Sequence, residues 1–283
     1  MSDLFVPVCP AAGECLLPRH LGCGLRLAEQ SAHDQDLAAA FALLIARAPE
    51  TPFDRLGVGA WAGRPVALVN ETAPAGAFVD APGLHGGRLF DALDLAGDGG
   101  RHRLTCRAGD LMPVLESALG VRYRRQTRII PTDGGPIEIV DTRRYRAGDR
   151  AAARRDGLPD TAATRPALNA APDLDPAAAA AGPPRLIACL EDRSYLDPEA
   201  IGQAPSLGAI LRGPAARAVL ALAATTPGPG VTGRWAGRRI WITADADPDL
   251  PTTAALRADP SWRDLSERAA ATLADMTQSL LAT

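Results

Sequence analysis

Between residues 147 and 184 the chain carries almost no large apolar side chain, only a run of Ala, Pro, Arg and Asp (RAAARRDGLPDTAATRPALNAAPDLDPAAAAAGPP from residue 150). Such a stretch cannot bury enough apolar surface to offset the entropy of ordering it, so it reads as a linker or a long surface excursion. It divides the 283 residues into an N-terminal part, 1–146, and a C-terminal part, 185–283. Each part has to assemble its core from its own strands and helices. Aromatic residues are only 4% of the chain, so that core must be packed mainly with Ala, Leu, Val and Ile. The expected class is α+β, with two lobes of small, mostly antiparallel sheets covered by helices.

The elements follow from periodicity and punctuation. Ser31 with Asp34 suggests a helix start, Leu37, Phe41 and Leu44 then share a face, and Pro49 and Pro52 stop the helix near Arg47. Residues 56–69 read as a β-hairpin turning at Ala62-Gly63-Arg64. Arg103 to Arg107 is strand-like and leads to a helix begun by Asp110 and closed by Gly120, with Pro113 in its first turn. A second hairpin runs from Val121 to Arg146 and turns at Asp133-Gly-Gly135. Farther on come a buried strand at Leu186–Leu190, a helix from Pro214 to Ala224, and a hairpin at Trp235–Thr243. The last helix, Ser261 to Leu281, carries a stripe of Trp262, Leu265, Ala269, Leu273, Met276 and Leu280, fit for the core or for a second copy of the chain.

One pattern occurs twice. Trp61-Ala-Gly-Arg64 with Val66 and Leu68 behind it matches Trp235-Ala-Gly-Arg238 with Ile240 and Ile242 behind it. Two explanations are open: a degenerate internal duplication giving two similar lobes, or two independent uses of an economical turn.

All 30 basic residues are arginine. Without lysine there is no Schiff base, no Walker-type phosphate lysine and no kinase-type lysine, which excludes pyridoxal-phosphate enzymes, P-loop NTPases and ordinary protein kinases. A formal net charge of −3 argues against a nucleic-acid coat or a membrane-surface protein. The N-terminal segment shows no basic-then-apolar export pattern, and the longest apolar run, Leu37 to Ala46, is too short for a bilayer, so a cytoplasmic location is expected.

The strongest electrostatic feature is the second hairpin. Arg122, Arg124, Arg125, Arg128, Arg143, Arg144 and Arg146 lie within it, interleaved with Tyr123 and Tyr145. Guanidinium forks grip carboxylate and phosphate bidentately, and strand alternation would put Arg122, Arg124, Gln126 and Arg128 on one face. A second candidate is Cys9, Cys15, His20 and Cys23, four soft ligands within fifteen residues, for which zinc is the fitting ion. Their spacing matches no standard finger or knuckle, so buried, idle thiols are the competing reading. Other candidates are the acidic segment Asp245, Asp247 and Asp249, the glycine loop around His85, and His102 beside Cys106; Cys189 reads as core.

No nucleophile elbow or other complete catalytic set is present. Two functions from different classes therefore remain. One is an accessory or assembly protein that docks an acidic protein surface through the Arg-rich hairpin. The other is an enzyme on an anionic small molecule held by the same arginines, with a structural zinc protein as a third option.

Overall fold

A computed structural model describes residues 5–24, 26–32, 35–47, 57–70, 104–132, 135–146, 184–225, 233–243 and 251–281. Within them the architecture is α+β. The first half contributes β1 (Phe5–Cys9), β2 (Glu14–Cys15), α1 (Leu27–Ala32), α2 (Gln35–Ile45), β3 (Arg64–Asn70), β4 (Thr105–Cys106), α3 (Ala108–Leu119), β5 (Val121–Thr132) and β6 (Gly135–Arg146). The second contributes β7 (Ile187–Cys189), β8 (Ser194–Leu196), α4 (Leu207–Arg212), α5 (Pro214–Ala223), β9 (Arg238–Ile242), α6 (Thr253–Ala258), β10 (Arg263–Asp264) and α7 (Ser266–Leu281).

Eight strands form one sheet in the order β10-β8-β7-β9-β3-β1-β2-β4, and β5 and β6 pair separately. Where two small sheets are expected from the sequence, β3 and β9 pair antiparallel and join them. The order is the same read from either edge. On each side of the β3–β9 pair an antiparallel neighbour (β1 or β7) leads to a hairpin partner (β2 or β8), and then to a short parallel edge strand (β4 or β10).

The two Trp-Ala-Gly-Arg segments sit at the join, and each is a turn feeding one strand rather than half of a hairpin. Glycines at positive φ explain this: Gly59 and Gly63 in one, Gly233 and Gly237 in the other. Trp61 N–H donates to the Leu44 carbonyl and Trp235 N–H to that of Leu222. Gly63 N–H donates to Ile240 of the opposite half, and Gly237 N–H returns the bond to Val66. Both indoles are fully buried, Trp61 donating to Glu14 at 2.8 Å and Trp235 to Ser194 at 2.8 Å.

Strand alternation sorts the apolar residues onto the two sheet faces. Phe5, Cys9, Val66, Leu68, Ile187, Ile240 and Ile242 face the main core with the helices. Val6, Val8, Cys15, Ala67 and Val69 form a smaller cluster on the other face, and Leu186, Ala188 and Trp241 another with Leu256 of α6. Helix α2 is buried all round, because every residue from Leu37 to Ala46 is apolar. It packs against α5, which is buried nearly as fully. The one-faced helix expected from Ser31 to Arg47 is thus two helices, α1 and α2, the second with no solvent face.

Two boundaries differ from expectation. Helix α3 starts at Ala108, so Pro113 lies inside it. The last helix starts at Ser266, and Arg263–Asp264 pairs as β10 instead. Leu265, Ala269 and Leu273 on its stripe are buried within the chain's own core, not left for a second copy. No described helix is long and apolar enough to cross a membrane. Of the segment 147–184 only Pro184 is described.

Gly59 tests the join. A Cβ there would lie 2.7 Å from the Ala46 carbonyl oxygen, at a φ of +77°, whereas Gly13 at +65° has open space. Gly59→Ala is expected to cost about 2 kcal/mol or more and Gly13→Ala about 1 kcal/mol, read as urea midpoints.

Candidate functional site

The Arg-rich hairpin exists as a separate two-stranded ribbon, twelve residues in each strand, closed in register by Thr132 opposite Gly135. At about 3.3 Å per residue it spans roughly 40 Å. Its foot is built into the body. Val121 is buried, and Glu116 of α3 accepts from the Tyr123 N–H at 2.9 Å and from Arg122 at 3.0 Å. Buried Asp36 of α2 accepts from Arg144 Nε at 2.5 Å. The Tyr123 phenol stands beside that carboxylate, and burial together with the Asp36 charge pushes its pKa up. Gly22 lets Thr142 approach: a Cβ on Gly22 would lie 2.7 Å from the Thr142 carbonyl oxygen.

Residues directly opposite in an antiparallel pair share a face. Tyr123 is opposite Arg144 and Arg125 opposite Thr142, and this face turns toward the body: Thr142 is buried and Arg125 reaches Gly109 of α3. The other face carries Arg122, Arg124 and Arg128 from β5, with Arg143 opposite Arg124. The alternation expected for Arg122, Arg124, Gln126 and Arg128 is therefore the one the register gives. The seven arginines do not act as one set: Arg122 and Arg144 hold the foot, Arg125 is on the body side, and Arg124, Arg128 and Arg143 are on the outer face. Arg146 pairs with Val121 in the register.

Two like charges directly opposite repel, by about 1 kcal/mol at 5 Å in water. The register thus brings two guanidinium-bearing positions side by side on the outer face. Beyond it Thr127, Arg128, Ile129, Pro131 and Pro136 are exposed. Ile129, at 72%, is one of two large hydrophobics exposed to solvent among the described residues.

The four sequence-predicted metal ligands do not come together. Among the described residues no three of His, Cys, Asp and Glu are arranged to hold a metal ion. Cys9 sits in the main core, its pKa pushed up to about 11 by burial, and Cys23 is buried with its thiol toward the Leu21 carbonyl. Cys15 lies in β2 and its strand partner is Cys106 of β4. His20 also turns to Cys106, with Nδ1 3.4 Å from Sγ. This grouping of Cys15, His20 and Cys106 was not legible in the sequence, because 86 positions separate the imidazole from the thiol and only the β2–β4 pairing closes the gap. Cys189 is core, as expected, its pKa pushed up to about 12 by burial. His85, His102 and the 245–249 carboxylates lie outside the described residues.

The chain matches no family model, no curated protein and no solved structure.

The foot of the ribbon yields a prediction. Asp36→Ala leaves Arg144 without its carboxylate; since Arg144 is partly solvated, the expected loss is about 1–2 kcal/mol. Trypsin should then cut at Arg128 faster than in the wild type, as followed by mass spectrometry of a timed digest.

Proposed function

We propose that the chain is a docking or assembly protein that engages an acidic protein surface through the outer face of the β5–β6 ribbon. The observation that carries this reading is the cross-strand pairing of Arg124 with Arg143 on the face turned from the body. A two-stranded ribbon presents an extended face, which suits a macromolecular surface better than a small anion, since the latter needs a concave site. Charges on that face would steer the approach of an acidic partner, whereas exposed Ile129 falls on the opposite face of the ribbon by the same alternation.

The repeated architecture supports the same reading. We read the two halves as a degenerate duplication, since strand order, Trp turns and the helices behind them recur. Features present in both halves then belong to the fold, as Cys9 and Cys189 do: each lies fully buried opposite the residue that accepts from its half's indole. Features of one half alone are candidates for function. The ribbon belongs to the first half only, among the described residues.

The test is fluorescence anisotropy with a labelled Glu/Asp-rich peptide at low salt. Binding by the wild type should weaken steadily with added salt. Arg124→Glu combined with Arg143→Glu should reduce affinity about tenfold or more, each reversal removing an attraction and adding a repulsion. Arg144 is left intact because it anchors the foot, and Arg268→Glu, at an exposed position of α7, serves as control. Equal binding by the double variant, or no binding by the wild type, overturns the proposal.

A further inference from the structure

Helix α3 is preceded by a second arrangement that belongs to the first half alone. Cys15 and Cys106 occupy paired positions on adjacent parallel strands, β2 and β4, and Cys106 packs against the apolar cluster that holds Cys15. The matching pair in the second half is Tyr195 opposite Asp264. Neighbouring strands are about 4.8 Å apart, inside the Cα separation that a disulfide spans without backbone movement. His20, delivered by the 3-10 turn Pro18–Leu21, places Nδ1 3.4 Å from Cys106 Sγ. Cys106 is half-buried, whereas Cys9, Cys15, Cys23 and Cys189 are buried.

The geometry points to a peroxide-reactive dithiol, which we propose as a second site: Cys106 is the attacking sulfur, His20 its proton partner and Cys15 the resolving thiol.

Reactivity of a cysteine depends on the fraction present as thiolate. Around Cys106 the thiolate is favoured, first by the neighbouring Cys15 thiol, then by the His20 ring and the backbone amides of Leu17 and Ala108, against the opposing effect of burial. Ala108 is the first residue of α3, whose N-terminal end favours negative charge. Cys15 is driven the other way, toward the protonated form, because it neighbours Cys106 and is itself buried. One sulfur is thus set as nucleophile and the other kept as a thiol until needed.

The steps balance with a hydroperoxide as oxidant. The Cys106 thiolate attacks the outer peroxide oxygen; the O–O bond breaks, and the leaving alkoxide or hydroxide takes the proton from His20. Cys106 is now a sulfenic acid, oxidised by two electrons, and the peroxide is reduced to an alcohol or water. The Cys15 sulfur then attacks the Cys106 sulfur, the S–OH bond breaks, and hydroxide leaves as water with the Cys15 thiol proton. A Cys15–Cys106 disulfide remains, and an external thiol pair returns it to the dithiol.

The experiment is stoichiometric hydrogen peroxide added to the full chain at neutral pH, with dimedone trapping and mass-spectrometric mapping of all five cysteines. Oxidation at Cys106 should exceed that at Cys9, Cys23 and Cys189 by about tenfold or more, with Cys15–Cys106 as the disulfide formed. Cys15→Ser should stop at the sulfenic acid and give a dimedone adduct on Cys106. His20→Asn should slow the first step about tenfold with an unchanged thermal midpoint, which separates proton handling from packing. Oxidation of Cys106 no faster than of the three core thiols, or absence of the Cys15–Cys106 disulfide in the wild type, overturns the proposal. The Arg124→Glu/Arg143→Glu variant should keep full peroxide reactivity, so failure of the docking reading and failure of this one are separable.

Discussion

The pairing of β3 with β9 is the contact on which the rest of the fold depends. Without it the eight strands would be two four-stranded sheets, each with an edge strand exposing a row of unpaired amides and carbonyls. The residues that make the pairing also bring each Trp turn into place, since Gly63 donates to Ile240 and Gly237 to Val66. The buried indoles then reach across their own halves to Glu14 and Ser194. Glu14 in turn accepts from Arg107 at 2.7 Å, just beyond the β4 cysteine. The central join and the edge where Cys106 lies are therefore linked by one run of polar contacts through the first half.

Much of this was legible in the sequence, for reasons that differ by element. The ribbon was legible because β-branched and arginine residues alternate around a Gly-Gly turn, and local pairing alone then sets the register. The buried strand at 187–189 and the helix from Pro214 were legible from apolar runs with clear punctuation. The repeated Trp-Ala-Gly-Arg pattern was visible too, yet its meaning was not. A turn followed by an alternating run looks like half of a hairpin, and only the partner strand 174 positions away (Arg64 against Ile240, 176 apart; Val66 against Arg238, 172 apart) shows otherwise. Nonlocal pairing leaves no trace in local periodicity.

The candidate sites show the same division. Which arginines face outward follows from alternation, a local property. Which are already engaged does not, because Asp36 and Glu116 come from helices α2 and α3. Grouping the N-terminal cysteines by closeness in sequence fails for a related reason. Cys9 and Cys15 lie on antiparallel neighbours, but strand alternation sends Cys9 into the main core and Cys15 to the opposite face of the sheet. A strand periodicity of two separates residues that a loop would have kept together.

Both proposed sites meet at helix α3. Its first residue, Ala108, offers its amide to the Cys106 sulfur, and Glu116 near its far end holds Arg122 and the Tyr123 amide at the foot of the ribbon. Twelve residues of helix span about 18 Å between the Ala108 amide and the foot of the ribbon, and Arg125 on the ribbon's body side reaches back to Gly109 in the first turn. The 3-10 turn that supplies His20 also packs against β6, giving a second connection between the same two places. Forming a Cys15–Cys106 disulfide would remove the negative sulfur from the helix N-terminus and free His20 from its contact. A change at one end of α3 thus has two short physical routes to the ribbon, one through the helix and one through the His20 turn, and neither route exists in the second half, where Tyr195 and Asp264 take the places of the cysteines.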